Sequence, residues 1–566
     1  MSTTDRLLSA LENSRYRFGA AEAARTRKLL TQARSTRFND PSSLIRFHEV
    51  LLVLRAFPPS PAVLRSTVQL LDTFYRRVQR LRERGADMDE FDPLEVSGIA
   101  GTAMQDALGF DLARWIVRRL QGEVEIVWDD FHNERAMAAV WPRFIPLLNE
   151  DATVEVDIPW RKWFETAKGN KSARPDWLIE RIGALPCSSA EKSRLYESLQ
   201  MPIRWHLENS RVSRTRNARP VRKIFYHPQP LLTRKDVSLA EELARRPPTL
   251  QRLSRTQGEK VMDLIREVML VRYRELYGTT IGDPRSVVRA DVGRGVSIYL
   301  WGLPADRRLP LRAYLAGLTL KNGVPINYIE AIGLFEWMEI GFNTFYTFRG
   351  GEVAWIFAQV LRCLCRHMGT TCISMYPYQL GHNNDEAIES GAFWFYRKLG
   401  FRPGRPDLLR LVEREENRIA LNSKYRTSAR TLKRIAEGHA FYELPGSQVG
   451  AWDRFSTRNI GLKINRTMAE EFNGDAERFK RETAAKFARI LRMRVSTNSD
   501  PHNCAFHDFA AVASVLPDLA SWTAKEKAAL RDIVIAKSAA DEMRYLRLLQ
   551  KHSRLRRELL RLGSTS

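Results

Sequence analysis

The stretch that decides how this chain is read runs GLFEWMEIGFNTFYTFRGGEVAWIFAQVLRCLCRHMG over residues 333–369, then TTCISMYPYQLGHNNDEAIESGAFWFYRKLGF over 370–401. A strand-like segment over roughly Leu334–Asn343 meets the glycine turn Phe348-Arg-Gly-Gly-Glu352. Val353, Ile356, Phe357, Val360, Leu361, Leu364 and Met368 then recur at three- and four-residue steps, the period of an amphipathic helix. Thr371–Tyr376 is short and apolar enough for a buried strand. A second, aromatic helix is expected over Ser390–Leu399, stopped by Gly400.

Working outward, Ser254 and Gln257 form a capping-box pattern ahead of a helix expected to reach about Tyr277. Strands are expected at Val287–Ala290, Val296–Trp301, Leu311–Leu320 and Ile326–Ile332, with Lys321-Asn-Gly323 as a hairpin turn between the last two. The order is helix, antiparallel meander, strand–glycine turn–helix, strand, helix.

That order resembles the GNAT acyltransferase superfamily over about residues 255–405. Arg349-Gly-Gly-Glu-Val-Ala354 is similar to the family's Arg/Gln-x-x-Gly-x-Gly/Ala turn. There, backbone N–H groups hold the coenzyme A pyrophosphate: glycines let the backbone approach, and a helix N-terminus favours an anion. The resemblance implies Arg349, Gly350, Gly351 and Ala354 as cofactor-binding residues, with acetyl-CoA or another acyl-CoA as cofactor. Ala392–Phe401 resembles the family's closing helix, which implies Tyr396 as the acid that protonates the leaving thiolate. Glu336 is the nominal base for the ammonium of an amine acceptor, with Glu339 and His382 as alternatives. Two positions depart from the family pattern. Glu352 stands where the family has its central glycine, and a carboxylate about 4 Å from a phosphate costs up to ~4 kcal/mol at an effective dielectric of about 20. Glu389 stands where the family often has a coenzyme-contacting asparagine, with Asn383 and Asn384 upstream in another register.

The whole chain sets the frame. At 566 residues it is too long for one core. An α+β fold is expected, with a mainly helical region 1–250, a central mixed sheet with packed helices at 251–408 and a basic helical region 409–566. The net charge of +24 favours acidic partners, nucleic acid among them, or a solubilising arginine-rich surface. Arg211–Lys223 carries six cations and no acid, which suits an exposed loop along a phosphate backbone or a solvated linker. Arg544–Leu562 carries seven cations and one acid beside an apolar stripe, which suits an anionic surface or packing on its own protein.

Among smaller features, Pro61–Gly85 is expected as one helix, Ala136–Leu148 and Trp177–Ile182 as others, and Glu123–Trp128 as a strand; Ala152–Ile158 reads equally as helix or strand. Ser97–Thr102 reads as a packing turn and Asp129–Glu134 as a helix start rather than a metal site. His502, Cys504 and His507 match no standard metal spacing. Five sparse cysteines point to reduced thiols in a cytoplasmic setting, and no apolar run is long enough to span a membrane. Three readings follow: an acyl-CoA-dependent N-acyltransferase acting on an unidentified amine, a non-catalytic binding or scaffold protein on the same fold, and a basic nucleic-acid-binding protein.

Overall fold

The computed structural model describes residues 3–120, 122–143, 160–169, 175–208, 211–494 and 501–564, and over these the chain folds as α+β. A small antiparallel sheet is built from β1 (Ala103–Ala107), β2 (Val124–Ile126) and β3 (Pro202–His206), with β3 in the middle. The large sheet holds β4 (Gln251–Arg252), β5 (Val288–Gly293), β6 (Val296–Trp301), β7 (Ala313–Lys321), β8 (Val324–Leu334), β9 (Trp337–Thr344), β10 (Cys372–Met375), β11 (Arg402–Pro403) and β12 (Ala440–Glu443). Its order is β11-β12-β10-β9-β8-β7-β6-β5-β4. From β4 to β9 every neighbour is antiparallel; β9 and β10 are parallel, joined by the helix Val353–Met368. All nine residues of β7 are buried, so both of its faces are covered. That accounts for the unbroken apolar run AYLAGLTL, where a half-exposed strand would alternate.

The β7–β8 turn shows how local chemistry locks into tertiary structure. Asn322 and Gly323 take φ of 49° and 82°, the left-handed pair of a type I′ turn. The Asn322 amide nitrogen donates to the carbonyls of Ala56 (2.9 Å) and Phe225 (3.0 Å), and its oxygen accepts from the Phe225 amide (2.8 Å). Arg219 donates its amide to the Gly323 carbonyl at 2.8 Å. The hairpin therefore docks the helix Pro41–Ala56 and the segment 211–232 together.

The core does not follow the divisions at 250 and 408. One apolar core takes side chains from Leu7 to Leu562, including the helices Thr3–Ser14, Pro41–Ala56 and Pro61–Asp72. A second core, from Met104 to Val212 with Leu270 and Val271, surrounds the small sheet. The expected helix Pro61–Gly85 is two helices, Pro61–Asp72 and Tyr75–Arg82. At the break Phe74 is fully buried and the Thr73 hydroxyl donates back to the Gln69 carbonyl. Arg77 then caps the carbonyls of Ala33, Arg34 and Thr36 at the end of the helix Ala20–Ser35.

Arg211–Lys223 is only partly an exposed loop. Val212–Thr215 and Asn217 are buried, and Arg214 donates its amide to the Gly98 carbonyl at 2.7 Å. Arg55 holds the Thr215 and Asn217 carbonyls, so Val212–Asn217 is a strap through the interior, while Ala218, Pro220, Arg222 and Lys223 are exposed. Ser97–Thr102 is a packing turn: a Cβ on Gly98 would strike Val271, and one on Gly101 would strike Val78. Arg544–Leu562 breaks into Glu542–Gln550 and Ser553–Ser564, whose stripe of Tyr545, Leu549, Leu555, Leu559 and Leu562 is buried in the protein's own core. Residues 144–148 of the expected helix, Ala152–Ile158 and the side chain of His502 lie outside the described residues. No helix among those described is long and apolar enough to cross a membrane.

A methyl group on Gly323 would run into the Arg219 carbonyl at a φ that disfavours a side chain. Gly323→Ala should lower stability in urea unfolding by ~2–4 kcal/mol, through strain plus overpacking.

Candidate functional site

A parallel strand pair that separates creates the site. β9 pairs with β10 only from Trp337–Ile340 to Cys372–Met375, where β10 ends. Beyond Ile340 β9 continues to Thr344, with no strand partner on that side among the described residues. Parallel strands need a crossover, supplied here by the helix Val353–Met368, which stops at Gly369 in the left-handed conformation (φ 71°). A cleft of about 570 Å³ opens between the free half of β9, the first turn of this helix and the segment 378–396. Phe342, Phe345 and Tyr346 line one wall; Tyr378, Phe395 and Tyr396 line another.

The residues of the glycine turn divide. Arg349 lines the cleft, its guanidinium 4.1 Å from the Tyr346 ring centre and ion-paired with Glu386. Gly350 and Gly351 serve packing: a Cβ on the first would meet Tyr16 at 2.8 Å, one on the second Phe57 at 2.9 Å. The amides of Arg349 and Gly351 donate to the Tyr346 and Phe348 carbonyls of their own turn. The expected cradle of Arg349–Gly351 amides is therefore not what faces the cleft. What does is the helix start: Val353 lines the cleft, Ala354 is buried beside it, and no side chain caps the first turn. Uncapped N–H groups at a helix N-terminus favour an anion.

Glu352 points the other way. It is fully buried and ion-paired with Arg294, with Lys321 at 3.7 Å, and accepts from the Leu232 amide at 3.1 Å. Burial alone would raise its pKa, but Arg294, Lys321 and the Leu232 amide outweigh that and hold it below the usual carboxylate value. The carboxylate that stood against an anion in the turn is thus spent on structure.

Tyr396 is 4% exposed, packed edge-on against Phe357 at 5.5 Å between ring centres, and burial raises its pKa well above the ordinary phenol value. It keeps its proton at neutral pH. Asn384 also lines the cleft, capping the short helix Asp385–Glu389, whereas Glu389 is exposed outside it. The expected base is elsewhere. Glu336 sits in the β8–β9 turn, held by Arg556 and by Trp452 Nε1 at 2.8 Å, at the far end of β9. Six residue steps along β9 separate it from Phe342, where the strand begins to line the cleft, roughly 20 Å at the usual rise. Glu339 pairs with His439 at 2.9 Å, and His382 lines a separate hollow with Arg430 and Lys433.

Sequence reasoning missed the cleft's own carboxylates and buried cations. Glu330 on β8 lines it and accepts from the Tyr314 hydroxyl; Glu386 accepts from Arg349 and from Tyr346 Oη at 2.7 Å. Arg214 and Arg272 line it while almost fully buried. A charged residue inside an otherwise apolar strand, as in NYIEAIGL, is the signal that points to Glu330. Among the described residues no group of three or more His, Cys, Asp or Glu is placed to hold a metal. Comparison of the chain with protein-family models, with curated proteins and with solved structures finds no match in any of the three.

Removing the buried Glu352 carboxylate leaves Arg294 and Lys321 facing each other. Glu352→Ala should cost ~3–5 kcal/mol in denaturant unfolding. Because the native carboxyl sits below its ordinary value of 4.5, its contribution is present above that pH and is lost as pH falls through the folded value. Glu352→Gln should flatten the acid limb of the stability profile.

Proposed function

We propose that the cleft binds an acyl-CoA and that the protein is an N-acyltransferase acting on an amine. The observation that carries this reading is the parting of β9 from β10 beside an uncapped helix N-terminus, with a protonated tyrosine on the cleft wall. The resemblance of Arg349–Ala354 and Ala392–Phe401 to the GNAT family adds the element order and the role of Tyr396. Phosphate oxygens fit the first-turn amides of Val353 and Ala354 and the Arg349 guanidinium, in place of the glycine amides. When bound, acyl-CoA supplies a thioester as the acyl donor. Glu330 is the cleft carboxylate that takes a proton from the acceptor's ammonium, since Glu386 is committed to Arg349 and Tyr346. Tyr396 holds the proton that a departing thiolate needs. The five free cysteines agree with a cytoplasmic setting.

Calorimetry with acetyl-CoA should show saturable binding, weakened about tenfold or more in Arg349→Ala. Tyr396→Phe should bind as well but lower kcat by roughly 10²–10⁴, with Glu330→Gln similarly impaired in turnover. Binding without turnover in the wild type would favour the non-catalytic reading on the same fold. No heat or thermal shift with any acyl-CoA would sink both.

A different surface favours nucleic acid as a partner. The groove between the helix Ala20–Ser35 and the helices Pro61–Asp72 and Tyr75–Arg82 holds about 830 Å³ and is lined by Arg34, Arg37, Arg76, Arg77, Arg80 and Arg84, against one acid, Asp72. Asp72 stands 3.8 Å from Arg216 and Arg77 caps a helix, which leaves the groove strongly positive. Affinity for a duplex oligonucleotide should fall steeply with salt. Replacing Arg34, Arg37 and Arg80 by Ala should reduce the log–log slope by about three if each meets a phosphate. An unchanged slope would rule out the groove.

A further inference from the structure

The floor of the cleft carries more positive charge than the protein neutralises. Arg214 is 2% exposed and Arg272 5%; both line the cleft, with the half-buried Arg274 beside them. Behind them Arg55 is half-buried, its guanidinium given to the Thr215 and Asn217 carbonyls. The carboxylate facing this cluster is Glu49, 3.4 Å from Arg214 Nη2, and it is shared with the Thr347 hydroxyl and His48 Nδ1. Burial disfavours the protonated form of His48, so it adds no further positive charge. Arg272 donates from Nη1 to the Val268 carbonyl and lies 4.2 Å over the Phe345 ring. Nε and Nη1 of Arg214 and Nε of Arg272 are buried without a hydrogen-bond partner. The other charged groups lining the cleft do not answer them: Glu330 accepts from Tyr314, and Glu386 and Arg349 bind each other.

Buried guanidinium groups are ordinarily paired, so incompletely paired arginines that line a cavity favour an acceptor there. Arginine presents a planar fork of donors that matches the oxygens of a phosphate or carboxylate. We propose that the cleft floor is an oxyanion site in which Arg214, Arg272 and Arg274 hold a phosphate or carboxylate group of the bound ligand. The site rests on the cleft being a ligand site and deepens that reading: with Glu330 in the same cleft, an amine acceptor that also carries an anionic group finds a partner at each end. The same oxygens are equally available from a phosphate of coenzyme A, and the experiment separates the two sources.

The test is titration of inorganic phosphate into the full chain, followed by thermal shift and calorimetry at constant ionic strength. Saturable stabilisation of the wild type is expected, weakened about tenfold or more in Arg272→Gln and in Arg214→Gln. Arg274→Gln, on a half-buried side chain, carries the same expectation if either buried variant fails to fold. Phosphate binding that persists under saturating coenzyme A assigns the site to the acceptor, and competition assigns it to the coenzyme; either supports the site. No saturable phosphate response in the wild type, or an equal response in all three variants, overturns it. Failure here with coenzyme A binding intact and sensitive to Arg349→Ala leaves the acyl-transfer reading standing. Loss of coenzyme A binding with the phosphate response intact does the reverse.

Discussion

A single buried carboxylate ties the central architecture together. Glu352, at the start of the crossover helix, ion-pairs with Arg294 from the β5–β6 turn, faces Lys321 at the end of β7 and accepts the amide of Leu232 from the segment that follows the strap. Segments far apart in sequence therefore converge on one charge. Burying it is unfavourable unless it is paired and hydrogen-bonded, so each partner is held in place by the cost of leaving the others unsatisfied. The consequence reaches the cleft: the helix N-terminus is pinned beside the free half of β9, while the carboxylate itself is turned away.

The cleft combines two electrostatic environments. Around the crossover helix, first-turn amides and Arg349 offer a positive end next to the apolar wall of Phe395 and Tyr396. On the floor, Arg214 and Arg272 are buried with one shared carboxylate. Charges excluded from water interact more strongly than on the surface, so small differences in pairing decide what binds. The segment 211–232 matters here because it carries Arg214 to the cleft and, through Arg219 and Phe225, locks the β7–β8 turn.

How much of this was legible in the sequence depended on whether the signal was local. The helix Val353–Met368 and the strand Val296–Trp301 fall at the expected bounds, because periodicity and their terminators lie inside each segment. The Ser254 capping box and the Asn322-Gly323 turn were equally local. Tyr396 and Arg349 both line the cleft, and both lie in or beside elements whose order is readable. Glu336 lies away from it, because its end of β9 is set by sheet register and by Arg556, 220 residues away. Gly350 and Gly351 looked like an open cradle, and only the docking of Tyr16 and Phe57 shows them filled.

The sequence by itself determined the main helices and strands of the central region, that these run as a meander followed by a crossover, and that the chain is strongly basic. These follow from side-chain period, turn stereochemistry and composition, which need no distant partner. Tertiary structure alone decided that residues 7–99 join the same core as the C-terminal helices, that a cationic segment becomes an interior strap, and which carboxylates and arginines share the cleft. Those outcomes depend on which buried charges and apolar faces meet, and no local pattern encodes a partner two hundred residues away.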